Sequence, residues 1–143
     1  MPPPSPSAVA RRLYDAMRRS DGQALVDLLT DDFVGTVSAG MPHGVGGDHR
    51  GAVDMVAGVW GRIAELYDMH VEPSEYLEVD DHRVVVIGRY RGSSRADTND
   101  LTAPHVRTTV DAAFAHVIAT RGNQVAALRQ ITDTARWAIP TQA

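Results

Sequence analysis

The 143-residue sequence contains no cysteine and no lysine. Without cysteine there are no disulfides, no thiolate nucleophile and no Cys-type metal site. Without lysine there is no ε-amine for Schiff-base chemistry, and all fourteen basic residues are arginine. Positive charge is too sparse and scattered for a broad nucleic-acid surface: the formal net charge is -4, whereas phosphate binding relies on clustered cations. No apolar run approaches the roughly 20 residues that span a bilayer, and no charged-then-apolar leader precedes the first helical pattern. The expected setting is therefore the cytoplasm, with neither nucleic acid nor membrane as partner. What is present, 43% hydrophobic and 22% charged residues, suits one globular domain able to bury a core without staples.

Proline-rich residues 1–6 read as a disordered tail, residues 7–138 as a single domain and 139–143 as a second tail. From Ser7, the expected cap, to Ser20, the residues Val9, Leu13 and Met17 recur every four positions and predict an amphipathic helix. Asp21-Gly22 breaks it, a short helix follows over Gln23–Leu29, and a strand over Phe33–Val37. Ser38 to Gly51 carries five glycines and one proline and reads as a loop. Its glycines match neither GxGxxG nor the Walker spacing. Val53, Val56, Trp60, Ile63 and Tyr67 predict a third helix over Ala52–Tyr67.

Beyond it the periodicity changes to two. Met69–Val79, interrupted by Pro73, predicts an edge or bulged strand; Asp80-Asp81-His82 makes a turn into a strand over Arg83–Arg91, and Gly92–Pro104 is a polar loop. Two β-type runs around Gly122-Asn123 then predict a hairpin from Val110 to Thr134. The order is that of an α+β fold, three helices covering one face of a curved antiparallel sheet.

Centring the hairpin on Gly122-Asn123 makes partner numbers sum to about 245, which sets Phe114 opposite Ile131 and His116 opposite Arg129. Period-two alternation then puts Phe114, His116, Arg129, Ile131 and Asp133 on one otherwise apolar face. Three ionisable groups on such a face mark it as the candidate site, with Asp133, His116 and Arg129 as the catalytic set. Burial would raise the pKa of Asp133 and fit it for proton transfer, though a carboxylate at a strand end bonded to Thr134 is an equal reading. His116 is a candidate acid or base and Arg129 a candidate anion stabiliser. Asp133 lies four residues beyond the partner of His116, about 13 Å along a strand, so the two meet only if a bulge intervenes. Alternation sets Asp111 on the opposite face, which weakens an Asp-Arg-Asp epoxide-hydrolase relay. Tyr14, Trp60, Tyr90, Phe114 and Ile131 are the expected substrate-binding walls and hydroxyls, with His43 from the glycine-rich loop as a lid residue. His43, Asp48 and His49 lack the HExxH spacing and a third ligand, and no GxSxG elbow occurs; neither a metal nor any other cofactor is expected.

The opening helix with Tyr14, Gly22 with Leu28-Leu29 and Asp31, the Met41-Pro42-His43-Gly44 loop, Trp60, Val84-Val85-Val86, Phe114-Ala115-His116-Val117 and Gln130-Ile131-Thr132-Asp133-Thr134 together resemble the SnoaL-like polyketide cyclases and ketosteroid-isomerase-like proteins of the nuclear-transport-factor-like superfamily. That resemblance implies a cone-shaped α+β fold with a pocket between sheet and helices. It further implies a cofactor-free cyclase or isomerase acting on a hydrophobic polyketide-like molecule in secondary metabolism, such as antibiotic biosynthesis. In the cyclase branch an acid on the last strand works beside a histidine on its neighbour, a position His116 matches. Non-catalytic binding and epoxide opening are the alternatives within the same fold. A homodimer is expected through the sheet face carrying Ala113, Ala115, Val117, Ala119, Ala126 and Leu128.

Overall fold

A computed structural model of the chain describes residues 4–95 and 108–137. Helix α1 (Pro6–Arg18) begins two residues earlier than the Ser7 cap reading, because Ser5 is the N-cap: its hydroxyl accepts from the Ala8 N–H at 3.1 Å, and Pro6 suits the first turn, where no N–H is needed. It buries Val9, Ala10, Leu13 and Tyr14. Helix α2 (Gly22–Leu28) is capped by Asp21. Strand β1 (Leu29–Val37) starts four residues before the expected Phe33. Part of the expected loop is ordered as β2 (Gly47–Arg50), which pairs antiparallel with β1. Of the polar loop expected over Gly92–Pro104, Gly92–Ser94 continue the strand that begins at Arg83, and residues 96–104 lie outside the described residues.

The third helical stretch is interrupted. Helix α3 (Ala52–Met55) passes into a π-helical turn (Val56–Trp60) and then α4 (Gly61–Leu66), after which Tyr67 is already extended. Strands β3 (Tyr67–Asp80), β4 (Arg83–Ser94), β5 (Thr109–Arg121) and β6 (Gln124–Thr132) follow, with a 3-10 turn at Thr134–Trp137. As Pro73 predicts, β3 is an edge strand with a register shift between Pro73 and Glu75. No helix among the described residues is long and apolar enough to cross a membrane.

The six strands form one curved sheet in the order β2-β1-β6-β5-β4-β3. Four of its neighbour pairs are antiparallel; the β1–β6 pair is parallel and ties the N-terminal strand to the C-terminal one. The fold is thus α+β, with helices on one face of the sheet. The core lies between them, from Leu13 and Tyr14 on α1 to Phe33 on β1, Val84 and Val86 on β4 and Ile118 on β5.

The hairpin turns at Gly122, whose φ of 61° suits glycine. Thr120 pairs with Val125 as the sum of 245 requires, but Ala119 pairs with Ala127. One extra residue, Ala126, has been taken up on β6. This bulge corrects every pairing beyond it: Phe114 faces Thr132, and His116 faces Gln130 rather than Arg129. The physical reason is spacing. Val125 and Leu128 are both buried yet three residues apart, and strict alternation cannot turn both inward. The bulge allows it, and reverses the parity of every later residue.

Candidate functional site

Between the helices and the inner face of the sheet lies a cavity of about 280 Å³. Its walls are largely apolar: Met17 of α1, Leu25 of α2, Met41 of the glycine-rich loop, Val56, Val59 and Trp60 of the π-helical turn, Ile63 of α4, Met69 and Val71 of β3, and Trp137. The π-helical turn explains why Val56, Val59 and Trp60 all reach the cavity, since its wider turn, closed by i→i+5 hydrogen bonds, brings an extra side chain to one side. Asp68 and Arg95, both exposed, also border it. Three neighbouring strands supply polar wall residues: Tyr90 of β4, His116 of β5 and Gln130 of β6.

These three are hydrogen-bonded into a chain that continues behind the cavity. The Tyr90 hydroxyl lies 2.5 Å from His116 Nε2, and the Tyr14 hydroxyl lies 2.7 Å from His116 Nδ1. Gln130 Nε2 donates to the Tyr90 hydroxyl at 3.1 Å, while Gln130 Oε1 accepts the Ser38 N–H at 3.3 Å. Ser38, at the end of β1, also donates its hydroxyl to the Gln130 carbonyl at 2.9 Å, so the parallel β1–β6 pair holds the amide in place. The His116 ring stacks on Phe114, with centroids 4.0 Å apart. Phe114 in turn lies across Gly88, where a Cβ would come within 2.6 Å of the ring; only glycine leaves that room.

Burial governs the charge state of this chain. His116 is 3% exposed, and loss of solvation lowers its pKa from 6.5 to about 3, so it is neutral at pH 7. Burial pushes the Tyr90 hydroxyl well above its ordinary value, partly offset by the Gln130 hydrogen bond. Tyr14 is raised by burial too, then by the neighbouring Tyr90 and Tyr76 hydroxyls. All three groups are held uncharged. They can polarise an oxygen by hydrogen bonding, but a full proton transfer along them would leave a buried ion.

Of the residues expected at the site, His116, Tyr90 and Trp60 line the cavity. Tyr14 and Phe114 stand behind His116 and position it. Asp133 and Arg129 do not reach the cavity. The parity change at Ala126 turns Arg129 to the outer face, where it is exposed, and Asp133 is exposed and ion-paired with Arg136 at 3.4 Å. Ile131, expected as a wall, is 51% exposed on the same outer face. Asp111 also faces outward, 2.8 Å from Arg89, so the Asp-Arg-Asp types share a face after all, but one away from the cavity. Leu128, expected on the outer dimer face, is buried inside. His43 approaches the cavity indirectly, its Nε2 2.8 Å from the hydroxyl of the wall residue Tyr67. Burial lowers the His43 pKa, with nearby Arg62 adding to it.

Gln130, Tyr67, Met41 and Trp137 were not anticipated in the cavity. Gln130 had a visible signal: in a register shifted by one it is the direct partner of His116. Among the described residues no three His, Asp or Glu side chains gather as a metal site would require. His49 is committed elsewhere, 2.7 Å from the Val45 carbonyl and 3.2 Å from Asp54.

The family profile described as a SnoaL-like domain matches residues 10–138. A search of curated proteins finds no match. Among solved structures, an NTF2-like protein from Burkholderia thailandensis superposes with a TM-score of 0.78 at 24% identity, over 96% of this chain and 99% of its own. A candidate polyketide cyclase from Pseudomonas putida superposes with a TM-score of 0.75 at 15% identity, over 94% and 96%. TerC, co-crystallised with polyporic acid, superposes with a TM-score of 0.69 at 22% identity, over 90% and 91%. At these identities the likeness to solved structures is one of fold.

Proposed function

The chain belongs to the SnoaL-like family, and from that premise we propose that its cavity takes a hydrophobic, oxygen-bearing small molecule of polyketide type. On that molecule it acts as a cofactor-independent cyclase or isomerase, in the cytoplasm and in secondary metabolism. The observation that carries the proposal is the buried Tyr14–His116–Tyr90–Gln130 hydrogen-bond chain opening onto an otherwise apolar cavity. A cavity that merely filled the core would have no use for it.

In this reading the Tyr90 hydroxyl, fixed by His116 and Gln130, donates to a substrate oxygen and stabilises negative charge as it develops there. Asp68 is the carboxylate among the described lining residues, but it is exposed on β3 between the inward Tyr67, Met69 and Val71, so the proton released from the carbon next to that oxygen passes to water at the cavity mouth. His116 serves as positioning residue rather than base, because a histidine with a pKa of about 3 binds protons too weakly at pH 7.

A substrate-independent test is exchange of α-protons. Incubating a hydrophobic bicyclic ketone such as 1-tetralone with the protein in D₂O and following its α-hydrogens by NMR should show protein-dependent deuteration. Tyr90→Phe should slow it by about ten- to a hundredfold, the usual loss for one oxyanion donor being at the upper end, and Asp68→Asn should leave it unchanged.

The neutrality of the cavity's inner polar groups favours a second reading, a protein that binds such a molecule without transforming it. Binding without exchange would support that reading over the first.

We also propose that two copies pair through the outer sheet face. Leu77 (52% exposed), Val85, Ile87, Ala115, Val117 and Ile131 make an apolar stripe across four strands there. Ile131→Glu, a charge at the β6 end of that stripe, should yield monomers by analytical ultracentrifugation where the unaltered protein yields dimers.

A further inference from the structure

The donors and acceptors around Tyr90 fix more than a binding pocket; they fix the direction in which its proton points. Gln130 Oε1 faces the Ser38 N–H, which can only donate. Turning the amide over would set two donors against each other, so Gln130 Nε2 is the group beside Tyr90 and donates to its oxygen. Two arrangements remain for the rest of the chain. If Tyr90 donates to His116 Nε2, then His116 Nδ1 donates to Tyr14, and the Tyr14 proton is left with no acceptor among the described residues. Tyr14 is 5% exposed and is not a cavity wall residue, so that proton would be buried and unbonded, which is costly. If instead Tyr14 donates to Nδ1 and Nε2–H donates to Tyr90, the Tyr14 proton is bonded. The one spare proton is then on Tyr90, where three cavity-wall residues converge.

We infer that Gln130 is a specificity-determining residue: it orients the chain so that Tyr90 offers a proton to the cavity, and the site selects ligands whose innermost oxygen only accepts, a ketone or quinone carbonyl, over a hydroxyl of the same shape. Both lone pairs of the Tyr90 oxygen are occupied, by Gln130 and His116, and Gln130 Oε1 is taken by Ser38. A ligand hydroxyl can accept from Tyr90, but its own proton meets no acceptor in Val71, the cross-strand partner of Tyr90, or in Trp137, whose ring lies 5.2 Å from that of Tyr90. The inference rests on the cavity being a small-molecule site, as proposed above, and adds which oxygen chemistry it admits.

Trp60 and Trp137 are the chain's two tryptophans and both line the cavity, so their fluorescence reports occupancy directly. Titrating with 1-tetralone, 1-tetralol and tetralin, matched in shape, should give roughly tenfold tighter binding of the ketone than of the alcohol, the usual scale for one unmade buried hydrogen bond. Tyr90→Phe should bring the ratio near one. Gln130→Glu places a carboxylate oxygen where the amide N–H stood; Tyr90 then donates to it, a lone pair of Tyr90 is freed, and the preference should turn toward the alcohol. A purely structural role for Gln130 would weaken both ligands together and leave the ratio unchanged.

Equal or tighter binding of the alcohol to the unaltered protein overturns the inference while leaving the small-molecule site standing. Binding of none of the three overturns the site and the inference with it. Independently of any ligand, ¹⁵N NMR of the imidazole groups, with His116→Gln to assign the signal, should show the His116 proton on Nε2. A proton on Nδ1 would reverse the chain and refute the proposed direction.

Discussion

The two faces of the β5–β6 hairpin are built from the same alternating sequence and do opposite things. The inner face buries His116 and carries Gln130 beneath it, each with its hydrogen bonds made. The outer face leaves Ile131 half exposed and sends Arg129 and Asp133 into solvent. A polar chain sits where a core is expected, and an apolar stripe sits where solvent is expected. The part that β6 plays in each follows from one residue, Ala126: counting from Val125 with strict alternation puts arginine and aspartate inside, and counting across the bulge puts glutamine inside. Surface polarity here is decided by strand parity, and parity by where the bulge falls.

Inserting one alanine between Ala127 and Leu128 is the most direct way to break this contrast. It shifts every later pairing by one, turns Arg129 under His116 and Leu128 out to solvent, and so buries an unpaired cation while exposing an apolar residue. The expected loss is comparable to the whole stability of a domain this size, about 5 kcal/mol or more; urea unfolding should show no folded baseline, and a normally folded insertion protein would refute the role given to strand parity.

Acid sharpens the contrast at the next scale. His116 binds its proton with a pKa of about 3 in the folded state against 6.5 as the ordinary value. The unfolded chain therefore holds more protons between those limits. This contribution to stability is complete above about pH 6.5 and declines as pH falls toward 3, by up to about 1.4 kcal/mol per pH unit. Urea midpoints measured across that window should fall accordingly, and His116→Gln should remove that part of the slope. A slope unchanged by the substitution would place the acid sensitivity elsewhere. The smallest effect belongs to the outer face: Arg129→Ala and Asp133→Asn should each change stability by no more than about 0.5 kcal/mol and leave ligand binding intact. A large loss of exchange activity in Asp133→Asn would overturn the separation of the two faces.

What could be read from the sequence was local. Four-residue spacing located α1, Pro73 marked β3 as an irregular edge, and Gly122-Asn123 placed the turn, each through a signal spanning a few residues. His116 stood out because a histidine within an apolar strand is rare enough to notice, and β5 carries no bulge to upset its parity. Strand β2 was hidden because its four residues, Gly47 to Arg50, have almost no apolar content and are ordered by pairing with β1. Gln130 and the true position of Asp133 were hidden for a different reason. The clue was the three-residue interval between Val125 and Leu128, but it competes with an equally apolar alternative that turns Ile131 inward. The choice is made by the fit of β6 against β1, a contact far away in sequence.

That distant contact has a consequence for how the molecule comes together. Val34 on β1 pairs with Ala127 on β6, 93 positions later. Pairing of that span closes a very long loop and is slow to be found, which places this chain among folders governed by topology rather than by local helix formation. During synthesis, β1 and β2 must wait beside the early helices until nearly all of the chain has been made. The amide that directs the Tyr90 proton is clamped by that same late pairing, so the polar chain acquires its direction only as the sheet is completed.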